Sequence, residues 1–192
     1  METSVIGILE FNSIAAGIIA MDSMVKSAPI VILKADVFNP GKFIIIVTGD
    51  VASVDASLLK GKENRLNWLV DELFIPNLNN QIIPALGSCR PVKAWDALGV
   101  LESYSITSGV EAADRAAKEA DVEIPEIGIS TELSGKSYVK IMGAVEAVEA
   151  AVDAGSSVLK QKGLFCNRIV IPRPHPDIQS YVAILNKRKK NR

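Results

Sequence analysis

The chain repeats itself, and no other feature constrains its fold as strongly. The segment Ile6-Gly7-Ile8-Leu9-Glu10 recurs as Leu98-Gly99-Val100-Leu101-Glu102. Behind it, Ile14, Gly17, Asp22, Lys26 and Ala28 meet Ile106, Gly109, Asp114, Lys118 and Ala120 at one constant spacing. Gly41-Lys42 and Gly49 then meet Gly135-Lys136 and Gly143 with two residues of drift, and Leu73-Phe74-Ile75-Pro76 meets Ile169-Val170-Ile171-Pro172. An ordered series of this kind, running over most of 192 residues, is a duplication, so both halves must fold alike. The division falls at residues 1–92, closing with a linker that contains Pro84, Gly87 and Pro91, and residues 93–192, ending in the basic tail 187–192.

Each copy reads as the same series of elements. A short apolar strand (5–11; 97–104) precedes Ser13 or Ser105, whose hydroxyl can accept from the unpaired amides of a helix start. In the first copy Ile14, Ile18, Met21 and Val25 form an apolar stripe at helical spacing, and Pro29 stops the helix. Strands 30–37 and 42–48 follow, joined at Asn39-Pro40-Gly41, where Pro at the second and Gly at the third position of a turn predict type II. The second copy has strands 124–131 and 137–142 around Ser134-Gly135. A second helix is capped by Asp50 in one copy and runs from Val145 to about Lys162 in the other, with Gly163 as its stop. Strands 69–75 and 165–171 close the units. The order β-α-β-β-α-β defines an α+β fold of two tandem ferredoxin-like, split β-α-β domains.

Composition narrows the function. Hydrophobic residues reach 48% with only 5% aromatics, and the mean hydropathy is +0.25. The net charge of −1 lacks the basic surface that nucleic acid requires, and a near-neutral apolar chain is prone to associate with its own kind. Cys89 and Cys166 form neither a disulfide framework nor zinc-ligand spacing. No apolar run approaches the roughly 18 residues of a membrane span, and the first residues do not read as a signal peptide. The expectation is a cytoplasmic protein with no nucleic-acid or membrane partner.

Gly7-Ile8-Leu9-Glu10, the helix end Asp22-Ser23-Met24-Val25-Lys26-Ser27-Ala28, Gly49-Asp50-Val51 and Val170-Ile171-Pro172-Arg173-Pro174-His175 together resemble the bacterial microcompartment shell domain. The resemblance covers nearly the whole chain, once per copy, and points to the tandem class of that family. It implies a non-catalytic shell subunit that forms homotrimers mimicking a hexagonal tile and packs beside other shell proteins, around encapsulated enzymes. It also implies a pore loop at Phe38, Asn39, Pro40 and Gly41, with Leu133, Ser134 and Gly135 in the same place in the second copy, and tile-edge roles for Lys26, Lys118 and Arg173. Because Asn39 faces Leu133 in the repeat, the pore can be three-fold at most. In the propanediol-utilisation branch of the class, a cysteine before Pro-Gly-Lys ligates an iron–sulfur cluster. Asn39 stands at that place here, and an amide is a poor iron ligand, so the resemblance implies no cofactor and a polar opening instead.

The remaining motifs have plainer readings. Residues 130–137 end like a phosphate-binding loop, but Ser130 replaces its first glycine and a strand pattern follows instead of a helix. His175 is the only histidine, with no nucleophile or second base near it in sequence, and reads as a turn or capping residue. Glu111, Asp114, Glu146, Glu149 and Asp153 read as solvated helix charges, and Asn77 replaces Arg173 in the first copy. Two other classes stay open on sequence: an electron carrier with a pore-bound metal cluster, and a ferredoxin-like ligand-binding regulator.

Overall fold

The computed structural model describes residues 4–92, 96–178 and 182; the basic tail 187–192 lies outside the described residues. The chain forms two compact units. The first holds residues up to Asn79 together with Ser105–Ser108 and Ser130–Lys136; the second holds Asn80–Tyr104, Gly109–Ile129 and the chain from Ser137 onward.

Unit 1 is built from β1 (Ser4–Phe11), α1 (Ile14–Ser27), β2 (Val31–Phe38), β3 (Lys42–Thr48), α2 (Val51–Lys62) and β4 (Leu69–Leu78). Its antiparallel sheet runs β2-β3-β1-β4. Unit 2 holds α3 (Ile82–Ala85), β5 (Ala97–Ser103), most of α4 (Ile106–Glu119), β6 (Glu123–Ile129), β7 (Ser137–Gly143), α5 (Val145–Gln161) and β8 (Phe165–Pro172), with sheet order β6-β7-β5-β8. The two orders are the same order, which is the split β-α-β arrangement read from the repeat.

The expected caps are in place. Ser13 Oγ accepts from Ala16 N at 3.3 Å and Asp50 accepts from Ser53 N at 2.9 Å. The Ser53 hydroxyl on Asp50 holds that carboxyl below the usual carboxylate range. Past α5, Leu164 N donates to Leu159 O and Gly163 N to Lys160 O, the double closure that satisfies the last carbonyls of a helix, with Gly163 at φ 70°.

Three expectations change. The buried face of α1 is Ala16, Gly17, Ala20 and Met24, while Ile14, Ile18 and Val25 stand outward; the small residues let the helix lie close on the sheet, and the larger ones are left for something else. The turn after β2 is not type II: the Asn39–Pro40 peptide is cis, and Gly41 N donates to Phe38 O at 2.9 Å, placing proline third in a turn of type VI. Residues 80–92, grouped with the first domain as linker, pack in unit 2. The Gln81 side chain donates to Val122 O and accepts from Ile124 N, Gly87 N and Arg90 N donate to Ile127 O and Pro125 O, and Leu86 bridges Ile127. These bonds satisfy the outer edge of β6, which a sheet would otherwise leave unpaired.

Helix α5 lies so close to its neighbours that a Cβ on Gly155 would stand 2.9 Å from the Ala112 carbonyl oxygen and 2.6 Å from Leu101 Cδ1. The backbone oxygen cannot swing aside. Gly155→Ala is therefore expected to cost about 1–3 kcal/mol by overpacking, read as a Tm several degrees lower in thermal unfolding.

Candidate pore turn and assembly surface

The turn Phe38-Asn39-Pro40-Gly41 is a buried anchor with an exposed tip. Phe38 is buried, whereas Asn39 and Pro40 project to solvent. Gly41 has φ 100° and open space where a Cβ would stand. The matching segment begins with Ser130, whose hydroxyl accepts from Glu132 N, and continues as a 3-10 turn over Thr131–Leu133. Ser134 is exposed at φ 51°, Leu133 is half-buried, and Gly135 follows at φ 76°. This geometry replaces the end of the strand expected through residue 131. The chain continues into β7, so no helix amides converge here as a phosphate-binding loop would need.

Both turns belong to unit 1, and one buried carboxylate ties them to the sheet. Glu10, fully buried on β1, takes Lys42 Nζ on Oε1 at 2.7 Å. The Lys42 stem then lies 3.0–3.1 Å from where a Cβ of Gly135 would stand. The other oxygen, Glu10 Oε2, accepts from Thr107 N at 3.3 Å and Thr107 Oγ1 at 3.0 Å, at the first turn of α4. Asp71 on β4, also buried, accepts from Ser108 Oγ at 2.5 Å. Ser105 Oγ sits between the carboxylates, 2.9 Å from Glu10 and 2.7 Å from Asp71, and accepts from Ser108 N. Its single proton serves one carboxylate at a time. Two carboxylates at a helix N-terminus meet the partial positive charge of its free amides.

The three edge candidates sit on α1, on α4 and just past β8. Lys26 and Lys118 each pair with the aspartate one helical turn earlier, Asp22 at 2.7 Å and Asp114 at 2.6 Å. Arg173 is exposed at φ 50° just past β8, and its amide donates to Asp96 O at 2.8 Å. Asn77, its counterpart, is exposed near the end of β4. His175 Nδ1 accepts from Asp177 N, as a capping residue does. Of the helix carboxylates, Glu111 pairs with Lys162 and Asp153 with Arg168, as surface charges do. Asp114 differs, being 5% exposed.

The donor set at the first turn does not fit an iron–sulfur cluster. Its tip carries the Asn39 amide; Cys89 lies in the segment on β6 and Cys166 on β8. Burial pushes the Cys89 thiol up, away from the thiolate that a cluster needs. Among the described residues, no group of three or more His, Cys, Asp or Glu is placed to hold a metal ion.

Sequence reasoning missed the buried ionic residues. Glu10 entered only as the end of a repeated motif, and the pairing of Glu126 with Lys140 was not anticipated. In unit 2 Lys140 donates to Glu126 at 2.6 Å and Tyr138 OH to the same carboxylate at 2.7 Å, both charges nearly fully buried. Burial, with Glu126 beside it, pushes the Tyr138 hydroxyl well up. A local signal existed for Glu10: a lone charge in the stretch Val5–Phe11, which otherwise carries no polar side chain on either face of the strand.

Two tandem α+β repeats, each with a turn between its second and third strands, define a duplicated domain of one architecture. Residues 5–78 and 97–174 each match the BMC domain, and the chain belongs to that family, the bacterial microcompartment shell proteins, as a tandem member. It is 38% identical over 170 residues to the bacterial microcompartment shell protein PduT of Citrobacter freundii, covering 88% of this chain and 92% of that one. The shell protein PduA of the same organism is 39% identical over 84 residues, 44% of this chain and 88% of its own. A solved microcompartment protein from Desulfitobacterium hafniense superposes with a TM-score of 0.80 at 38% identity, over 92% of this chain and 98% of that chain. A fused permuted hexameric shell protein of the RMM microcompartment shares the fold, with a TM-score of 0.62 at 18% identity over 82% of this chain and 84% of its own.

Two expectations follow from the geometry. Glu10→Ala leaves Lys42 and the α4 amides without their buried carboxylate, an expected loss of about 3 kcal/mol in denaturant unfolding. Gly41→Ala should cost only the positive-φ penalty, about 1–2 kcal/mol, and Gly135→Ala more, because its Cβ also meets Lys42; equal losses would contradict the packing described.

Proposed function

We propose that this chain is a structural, non-catalytic wall subunit of a bacterial microcompartment, acting as a homotrimer whose six domains mimic a hexagonal tile. Such tiles pack edge to edge with other shell proteins around encapsulated enzymes, in the bacterial cytoplasm. The observation that carries the reading is the duplicated BMC fold whose first helix and edge strand leave large apolar side chains uncovered, as a subunit meant to be covered by neighbours would. No helix among the described residues is long and apolar enough to cross a membrane.

At the centre of the trimer, the Asn39 turns would alternate with the Leu133-Ser134 turns. A ring of short loops presents amides, carbonyls and side-chain dipoles to a passing solute. Asn39 has donor and acceptor but no charge, which suits polar metabolites over ions. Lys26, Lys118 and Arg173 would meet neighbouring tiles, with Arg173 donating in a planar fork across the seam. An asparagine-tipped turn also argues against cluster-based electron transfer.

Sedimentation should give a species of three times the 20.6 kDa chain mass, and electron microscopy should show flat, hexagonally packed sheets. Protein purified anaerobically should be colourless and free of iron. A chain that stays monomeric under all conditions would refute the tile, and stoichiometric iron would restore the electron carrier.

A further inference from the structure

The two turns between second and third strands differ in length as well as in tip. Residues 39–41 join β2 to β3, whereas residues 130–136 join β6 to β7. Within the repeat Phe38 meets Ser130 and Asn39 meets Leu133, so Thr131 and Glu132 have no counterpart in the first copy. The backbone of the longer turn is pinned. Ser130 Oγ accepts from Glu132 N at 3.3 Å, Leu133 N donates to Ser130 O at 3.1 Å and Lys136 N to Leu133 O at 3.0 Å. Glu132 stands exposed on it, and among the described residues nothing pairs with its carboxylate.

The other charges beside the turns have partners. Lys42 is tied to Glu10 at 2.7 Å, Asp36 lies 3.5 Å from Lys34, and Lys136 has an interaction of its own. The tip Asn39-Pro40-Gly41 carries no charge. Among the described residues of the two turns, Glu132 is the charge left unpartnered.

We propose that Glu132 sets the charge selectivity of the opening: three Glu132 carboxylates, one from each chain of the trimer, turn back anionic solutes while neutral polar ones pass. The inference rests on the trimer and its pore, and it names the solute class that this pore retains. Rings of acidic side chains select against anions at narrow openings. Three like charges around one axis act together on a solute within a Debye length, about 8 Å at physiological salt. A phosphorylated solute with two negative charges is repelled twice as strongly as one with a single charge, and an uncharged polyol is hardly affected. The Asn39 tips alternate with these carboxylates and offer a polar solute hydrogen bonds without a charge. The pore then admits uncharged substrates and holds phosphorylated or carboxylate intermediates on the side where they form.

Two probes of similar build test the proposal, glycerol and glycerol 1-phosphate, with wild-type sheets laid over a nanoporous support and checked for coverage by electron microscopy. At low salt glycerol should cross at least about tenfold faster than its phosphate, and the ratio should shrink at about 1 M salt, where the Debye length falls to about 3 Å. Glu132→Gln, which keeps the shape of an exposed side chain, should bring the ratio down to that set by size alone. Glu132→Lys should carry it further, so that the phosphate crosses the faster. A wild type that passes both probes alike, or a Glu132→Gln variant that keeps the wild-type ratio, would overturn the selectivity and leave the trimeric tile standing. A wild type that forms neither trimers nor sheets removes the tile, and the selectivity with it.

Discussion

The carboxylate of Glu10 is the point from which unit 1 is organised. It is fully buried, and an isolated charge there would be unaffordable in a low-dielectric interior. Lys42 meets one of its oxygens and the first turn of α4 the other. Satisfying it fixes three things together: the stem of Lys42 beside Gly135, the exit from the Phe38–Gly41 turn, and the position of the first turn of α4. Asp71 duplicates the hold on that helix start through Ser108, so the segment 105–108 folds with unit 1 although it lies far along the chain. A buried pair of this kind adds less to stability than its Coulomb energy suggests, but it specifies one arrangement, because every alternative leaves a charge without a partner.

Duplication let the two copies drift apart where they meet other things. The same helix position is isoleucine in both copies at Ile14 and Ile106, yet one is exposed and the other fully buried. The edge strand β6 is closed by residues 80–92 of its own unit, while on β2 Val31, Ile32, Leu33 and Val37 stay exposed. The segment Ser105–Ser108 carries three hydroxyls, whereas its repeat partner Ser13–Ala16 carries one. Once one chain carries both copies, a substitution at a repeat position in one copy no longer changes the other.

Much of the architecture was legible because it depends on local rules. The caps at Ser13 and Asp50, the stop at Gly163 and the order of strands all follow from side chains acting within a few residues of themselves. The apolar stripe of α1 was legible as a stripe but not as to its direction. Periodicity shows that Ile14, Ile18 and Val25 share a face; it does not say whether that face meets the sheet, and small residues on the opposite face permitted the closer approach. The turn at Asn39-Pro40-Gly41 was likewise placed correctly as a turn, with its backbone form decided by the hydrogen bond from Gly41 to Phe38.

The sequence by itself determined the duplication, the α+β class, the family and the absence of a thiol at the first turn, since each is written in the order and identity of residues. Only the tertiary structure decided that Glu10 is buried and what satisfies it, that residues 80–92 close the edge of β6, and that α1 lies with its larger side chains outward. These depend on partners remote in sequence, and burial is a property of what arrives next to a residue, not of the residue.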